Sequence, residues 1–249
     1  MAPVKDAYIE KITSDMTAVD VTNEVEKITT WLQPRMVTLC DTKMRITAVD
    51  GALQLYGHQK EAMHTIRNMR DHFKQRYDSE DHPEDLKVIW SVGEVCIAKL
   101  GDYWYRARIL EVSNGQREVA VIYVDLGNVR TIDTSDLRIP RDFAYQPALA
   151  IRMVLESIIP PNDDKFFPDS TIKAIQEEIG YWNTGFVKVT STRMVSAFPI
   201  PVNLCLVQKK GGSKEQKDLG QILLECGLSD KGYVNILDPR YNLHARVNN

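Results

Sequence analysis

Between Glu94 and Ile139 the chain alternates short strand-forming runs with tight-turn signals, which restricts that stretch to a small, bent sheet. The runs Glu94–Leu100, Tyr103–Val112, Glu118–Val124 and Val129–Ile132, with a stub near Leu137, are rich in β-branched and aromatic residues. Asn114-Gly115 and Gly127-Asn128 mark turns, because Gly and Asn tolerate the left-handed backbone that tight turns require. Strands this short and this closely joined predict a five-stranded barrel that ends at Pro140. Residues two apart on a strand share a face, so Tyr103 and Tyr105 should point one way, Trp104 and Arg106 the other. Trp104 reads as a core side chain. Tyr105 and Tyr123 read as neighbouring rings at one rim, where a guanidinium would gain ~0.5–2 kcal/mol per good contact.

The flanks carry a different pattern. Met36–Cys40, Met44–Val49 and Leu53–Tyr56 are strand-like, with the hairpin signal Asp50-Gly51 between the last two. Residues 58–77 place Met63, Ile66, Met69, Phe73 and Tyr77 at helical spacing, predicting a long amphipathic helix. An acidic connector, residues 78–85, follows and offers little to bury. Beyond the barrel the pattern predicts a strand at Leu149–Leu155, a loop at Pro160–Asp164 and a helix at Pro168–Ile179 stopped by Gly180. Strands are expected at Gly185–Thr190 and Val202–Val207, and a last helix at Lys214–Cys226 stopped by Gly227. Each flank is too small to stand alone, so the two should fold together around the inserted barrel, giving an α+β architecture.

Composition narrows the function. A net charge of −3 and a pI near 6.0 suit a basic peptide better than a nucleic acid. Lys209, Lys210, Lys214 and Lys217 make the compact basic patch, so any RNA contact should be weak and salt-dependent. Cys40, Cys96, Cys205 and Cys226 stand far apart without a CxxC pair, arguing for free thiols in a reducing compartment and against a metal site. No apolar run approaches the ~20 residues of a membrane helix, and the start lacks a signal sequence. A segment of a longer intracellular protein, with no membrane contact and no cofactor, is the expectation.

The motifs Ala98-Lys99-Leu100, Trp104-Tyr105-Arg106-Ala107, Tyr123-Val124-Asp125-Leu126-Gly127-Asn128, Leu137-Arg138-Ile139-Pro140 and Ala150-Ile151-Arg152 together resemble the extended Tudor family. The resemblance covers roughly residues 25–230 and implies a five-stranded Tudor barrel inserted in an OB-like, staphylococcal-nuclease-like module and joined to it by a long helix. It divides the chain into a tail or short first element (1–24), the first part of that module with its helix (25–85), the barrel (86–140), the second part (141–230) and a C-terminal tail (231–249).

The family binds arginine–glycine tails of Piwi-clade Argonaute proteins, usually symmetrically dimethylated, in a cage of four aromatic walls and an asparagine. By motif the asparagine is Asn128 and two walls are Tyr105 and Tyr123, but the others fall on Leu100 and Leu126. Two absent walls forfeit ~1–4 kcal/mol, while an unmodified arginine keeps every N–H donor. The resemblance with these leucines therefore implies a preference for unmethylated arginine. Tyr103 and Asp125 are further candidate contacts, and Asp102, Glu111, Glu118 and Asp136 are the other nearby carboxylates. The implied role is a scaffold of the piRNA pathway in perinuclear, cytoplasmic germline granules, with self-association left to other regions of the full-length protein.

Two rivals remain beside a conventional dimethylarginine reader. RNA binding would use the basic patch. A residual nuclease would need clustered carboxylates and arginines, for which the first flank offers only Asp41, Arg45 and Asp50. His64 and His72 on the helix read as solvated. Neither a phosphate-binding glycine loop nor a nucleophile–base pair is evident, so a catalytic role is not expected.

Overall fold

The computed structural model describes residues 28–236, apart from 52, 79–81, 116, 165, 183–186, 195–197 and 211–212. Strands β1 (Thr42–Val49) and β2 (Gln54–Gln59) form an antiparallel hairpin. Its turn is held by Asp50, whose Oδ1 accepts the Gln54 N–H at 3.0 Å. Helix α1 (Ala62–Tyr77) then leads into β3 (Val95–Leu100), β4 (Tyr103–Val112), β5 (Glu118–Tyr123), β6 (Val129–Asp133) and β7 (Leu137–Arg138). These five strands form their own sheet, in the order β6-β5-β4-β3-β7.

The chain returns through β8 (Ile151–Leu155), β9 (Ile158–Ile159), α2 (Asp169–Trp182), β10 (Val187–Ser191), β11 (Ile200–Lys210), β12 (Ser213–Asp218), α3 (Leu219–Glu225) and β13 (Asp230–Lys231). Strands from before and after the small barrel share one six-stranded sheet, β10-β1-β2-β8-β11-β12. Because β10 also pairs with β11, that sheet closes into a second barrel, with β12 as an extension. Insertion of one barrel into the other is thus written in the strand order.

Three of the apolar clusters among the described residues do most to hold this together. Cys96, Ala98, Ala107, Ile109, Val121 and Tyr123 fill the small barrel, while Met44, Leu55, Met153, Val189 and Leu204 belong to the larger core of the flanking module. In the third, Met69, Phe73 and Tyr77 of α1 pack on Ile97 and Trp104 of the small barrel. Trp104 is 2% exposed, and its ring N–H donates to Asp78 Oδ1 at 2.7 Å. The alternation expected on β4 thus delivers Trp104 to a core.

Two contacts help to fix how the barrels meet. Arg106 is fully buried, and its guanidinium donates to both Asp125 oxygens (2.9 and 2.6 Å) and to the carbonyls of Phe143 (3.1 Å), Gln146 and Pro147 (3.0 Å). At the second contact, Gly127 (φ +84°) lies so close to β2 that a Cβ there would stand 2.0 Å from the Tyr56 ring.

Several expectations need correction. Lys214–Asp218 is not helical: Ser213–Asp218 pairs with β11 as β12, and α3 begins only after Asp218, whose side chain caps it by accepting the Gln221 N–H. The polar run Lys214–Lys217 has no apolar stripe with which to dock a helix, whereas edge pairing satisfies its backbone. Met36–Cys40 forms no strand, although Leu39 exchanges hydrogen bonds with Ser191. Helix α1 starts at Ala62 because His58 and Gln59 extend β2 instead. Helix α2 runs through Gly180 to Trp182. The acidic connector does bury a charge: Asp85 is fully buried, held by Arg76 and Arg141 at 2.8 Å each. The expected tail at 1–24 lies outside the described residues, as do 237–249 of the C-terminal tail and the Gly211-Gly212 loop of the basic patch.

Candidate functional site

The sequence motifs meet at one end of the small barrel. Tyr105 on β4 and Tyr123 at the end of β5 stand edge to face, with centroids 6.1 Å apart and planes at 85°. Tyr123 is fully buried and its hydroxyl donates to the Lys99 carbonyl at 2.6 Å. Burial pushes that hydroxyl's pKa up, and the field of Asp136 pushes the same way. Tyr123 is therefore a neutral, fixed wall, and Tyr105 a half-buried one.

Leu100 and Leu126 are also half-buried, and they pack with Tyr105 against the same barrel core. The two positions at which the sequence resemblance led one to expect rings thus carry aliphatic side chains that lean on the core. The turn carrying Leu126 is stitched in place. Leu126 and Gly127 N–H groups donate to the Tyr123 carbonyl, Tyr123 N–H donates to the Asn128 carbonyl at 3.0 Å, and the Thr47 hydroxyl of β1 donates to the Leu126 carbonyl at 2.5 Å.

Asn128 ends the turn with its side-chain Oδ1 buried and without a hydrogen-bond partner among the described residues. Leaving such an acceptor unsatisfied costs ~1–3 kcal/mol, so the position favours an incoming N–H donor. Beside it opens a cleft of 490 Å³ between the two barrels, with Thr47, Asp50, Tyr56, Leu110, Asn128 and Gln176 in its walls. Thr47, Tyr56 and Gln176 come from the flanking module, and no local motif marks them.

Two candidate contacts are redirected. Tyr103 does not join Tyr105. Its ring lies under the Arg70 guanidinium of α1 at 3.8 Å, with the Lys74 amine at 5.7 Å, so one of the chain's own cations covers it. Asp125 does not face a ligand: it is buried, ion-paired with Arg106, and accepts the Leu149 N–H at 3.1 Å. Of the named carboxylates, Asp136 is the one whose field reaches the rim.

Of the nuclease candidates, Asp41 is engaged by the chain's own side chains. Asp41 binds Lys188 and Thr190 at 3.0 Å each, which holds its carboxyl below the usual range. Among the described residues, the side chains that could together reach one ion are His82, Glu84 and Asp85, and both Asp85 oxygens are already taken by arginines. His72 bonds Asp142 at 3.0 Å, and His64 bonds Asn68 at 3.1 Å.

Residues 39–157 match the Tudor domain family. The chain contains a Tudor domain. Its fold is that of extended Tudor domains. It matches a human TDRD1 extended Tudor domain in complex with a symmetrically dimethylated peptide at a TM-score of 0.67 and 17% identity, covering 82% of this chain and 96% of that one. A Drosophila melanogaster Papi extended Tudor domain in complex with an unmethylated Piwi N-terminal peptide matches at a TM-score of 0.63 and 17% identity, covering 77% and 99%. By sequence, mouse RING finger protein 17 is 30% identical over 182 residues, 66% of this chain and 10% of that protein. Human RING finger protein 17 is 33% identical over 123 residues, 41% of this chain and 8% of that protein. The chain thus spans about a tenth or less of these relatives. Among the described residues no helix is long and apolar enough to cross a membrane. The small barrel lies inside the matched residues, and its rim is the candidate site.

Proposed function

We propose that this chain is a non-catalytic adaptor that captures an arginine-rich tail of a Piwi-clade Argonaute protein, preferring unmethylated arginine, as part of a scaffold in cytoplasmic germline granules. The observation that carries this reading is the orphaned Asn128 Oδ1 beside a rim with Tyr105 and Tyr123 but with Leu100 and Leu126 in place of rings. The asparagine accepts a guanidinium N–H, the half-buried Tyr105 ring stacks on its plane with the buried Tyr123 backing that ring, and the adjoining cleft takes the flanking peptide. Dimethylation replaces donors and adds bulk that calls for more aromatic surface than two rings supply. The complexes with MILI or Piwi peptides formed by structural neighbours support the ligand class.

Calorimetry with one arginine–glycine peptide, unmodified and symmetrically dimethylated, tests the reading. The natural chain should bind the unmodified form at least as well. The double variant Leu100→Phe, Leu126→Tyr should gain ~1–4 kcal/mol toward the dimethylated form, to the extent that the rings fit without strain. Tyr105 is the ring to delete, because removing the fully buried Tyr123 would disturb the barrel itself. A natural chain that strongly prefers dimethylarginine, or a folded Tyr105→Ala variant with unchanged affinity, would refute the site as drawn.

A further inference from the structure

The contact between Gly127 and Tyr56 divides the space between the two barrels. The Asn128 cleft lies on one side, and a second cavity of 240 Å³ lies on the other, the two sharing Tyr56 and Gly127 in their walls. The second cavity is mostly apolar, with Trp31, Tyr56, Ile122 and Val124 in its lining, yet two arginines also face it, Arg108 from β4 and Arg152 from β8. Arg108 is half-buried and has no ion-pair or hydrogen-bond partner among the described residues. Burial first, and then the neighbouring Arg152 charge, both lower its pKa, as expected of a cation that lacks a counter-ion.

We propose that this cavity is a second peptide subsite, which takes a carboxylate of a partner polypeptide between Arg108 and Arg152 while an adjacent aliphatic or aromatic residue fills the apolar walls. Paired guanidiniums suit a carboxylate because they offer forked donors to a planar anion. In a half-enclosed site of low polarity the exchange of like-charge repulsion for an ion pair favours the bound state. The walls decide between anions: a phosphodiester chain would bring continuous charge against Val, Ile and Trp, whereas an acidic peptide brings one carboxylate and an apolar neighbour. This subsite does not depend on the arginine site. The two could be filled by one peptide or by separate segments.

The test uses the whole chain with the dipeptide amide N-acetyl-Leu-Glu-NH2, its isosteric control N-acetyl-Leu-Gln-NH2, which carries no carboxylate, and a single-stranded RNA oligonucleotide at physiological salt. The readouts are calorimetry and the arginine Nε–Hε NMR resonances. The expected result is that the Glu dipeptide binds and moves the Arg108 resonance, the Gln dipeptide binds at least tenfold more weakly, and the RNA leaves that resonance in place. Arg108→Gln should abolish the discrimination between Glu and Gln without lowering Tm or the affinity for an arginine–glycine peptide. Should that variant unfold, Arg108→Lys, which keeps the charge and loses the fork, should weaken the Glu dipeptide in a folded protein. Equal binding of the two dipeptides, no binding of either at millimolar concentration, or an Arg108 shift produced by RNA alone would overturn the proposal.

Discussion

Replacing Gly127 by Ala tests whether the two barrels dock through this residue. Gly127 has φ +84°, and a Cβ there would stand 2.0 Å from Cγ of Tyr56. Gly93 has nearly the same backbone, φ +87°, but nothing within 4 Å of its would-be Cβ. The pair therefore separates backbone strain from collision. Strain at positive φ costs ~1–2 kcal/mol in both variants, and overpacking adds ~1–3 kcal/mol at Gly127 alone. Gly93→Ala should thus lose ~1–2 kcal/mol and Gly127→Ala ~2–5 kcal/mol in urea unfolding. In a Tyr56→Gly background both the ring and its Cβ, which would stand 2.3 Å from the new methyl, are gone, and the penalty at Gly127 should shrink to that at Gly93, a coupling that a double-mutant cycle reads directly. Because Asn128 follows in the same turn, Gly127→Ala should also weaken the arginine–glycine peptide where Gly93→Ala does not. Equal penalties at the two glycines, or an excess at Gly127 that survives loss of Tyr56, would refute this account of the docking.

Asp125→Ala leaves the Arg106 charge buried without its carboxylate, and should cost ~3–5 kcal/mol in denaturant unfolding, far more than Asp133→Ala, whose exposed side chain pairs with Arg117 and accepts the Ser135 N–H. A small loss at Asp125 would mean that the three carbonyls suffice. His58 is buried on β2 with neither ring nitrogen bonded among the described residues, and burial lowers its pKa from 6.5 to about 4. The unfolded chain therefore takes up the proton first, so stability is complete above about pH 6.5 and declines as the pH falls towards about 4, by up to ~3 kcal/mol. Urea midpoints measured between neutral and acidic pH should show this slope in the natural chain, and a smaller one in His58→Leu; parallel slopes would exclude His58 as its source.

The Tudor barrel was legible because its signals are local. The strand β4 falls at Tyr103–Val112 as its alternation predicts, and the turns fall on their glycines. The flanking module was less legible where tertiary pairing overrides local pattern. Ser213–Asp218 becomes a strand only because β11 presents a free edge, and His58 is drawn into β2 because it pairs with Arg45 of β1. In the candidate site the motif positions of Tyr105, Tyr123 and Asn128 were readable, but their engagement was not. Tyr103 shares a strand face with Tyr105 in principle, yet Arg70, distant in sequence, claims its ring. Asp125 reads as a candidate contact because it sits in the turn beside Tyr123 and Asn128. Its role depends on Arg106 and Leu149, which no local window joins to it.

The guanidinium of Arg106 gathers a strand, a turn and the chain that leaves the barrel at Phe143, Gln146 and Pro147 into one knot. A barrel tied in this way has little slack with which to swivel. The openings on the two sides of Tyr56 are therefore held at a set separation, and the space between the barrels acts as a ruler rather than a jaw. A ligand that reaches across both is measured by the interval between its anchoring residues. One added residue shifts an extended strand by ~3.3 Å, which a fixed gauge cannot absorb. Spacing along the tail, as much as its chemistry, would then decide which tails are held.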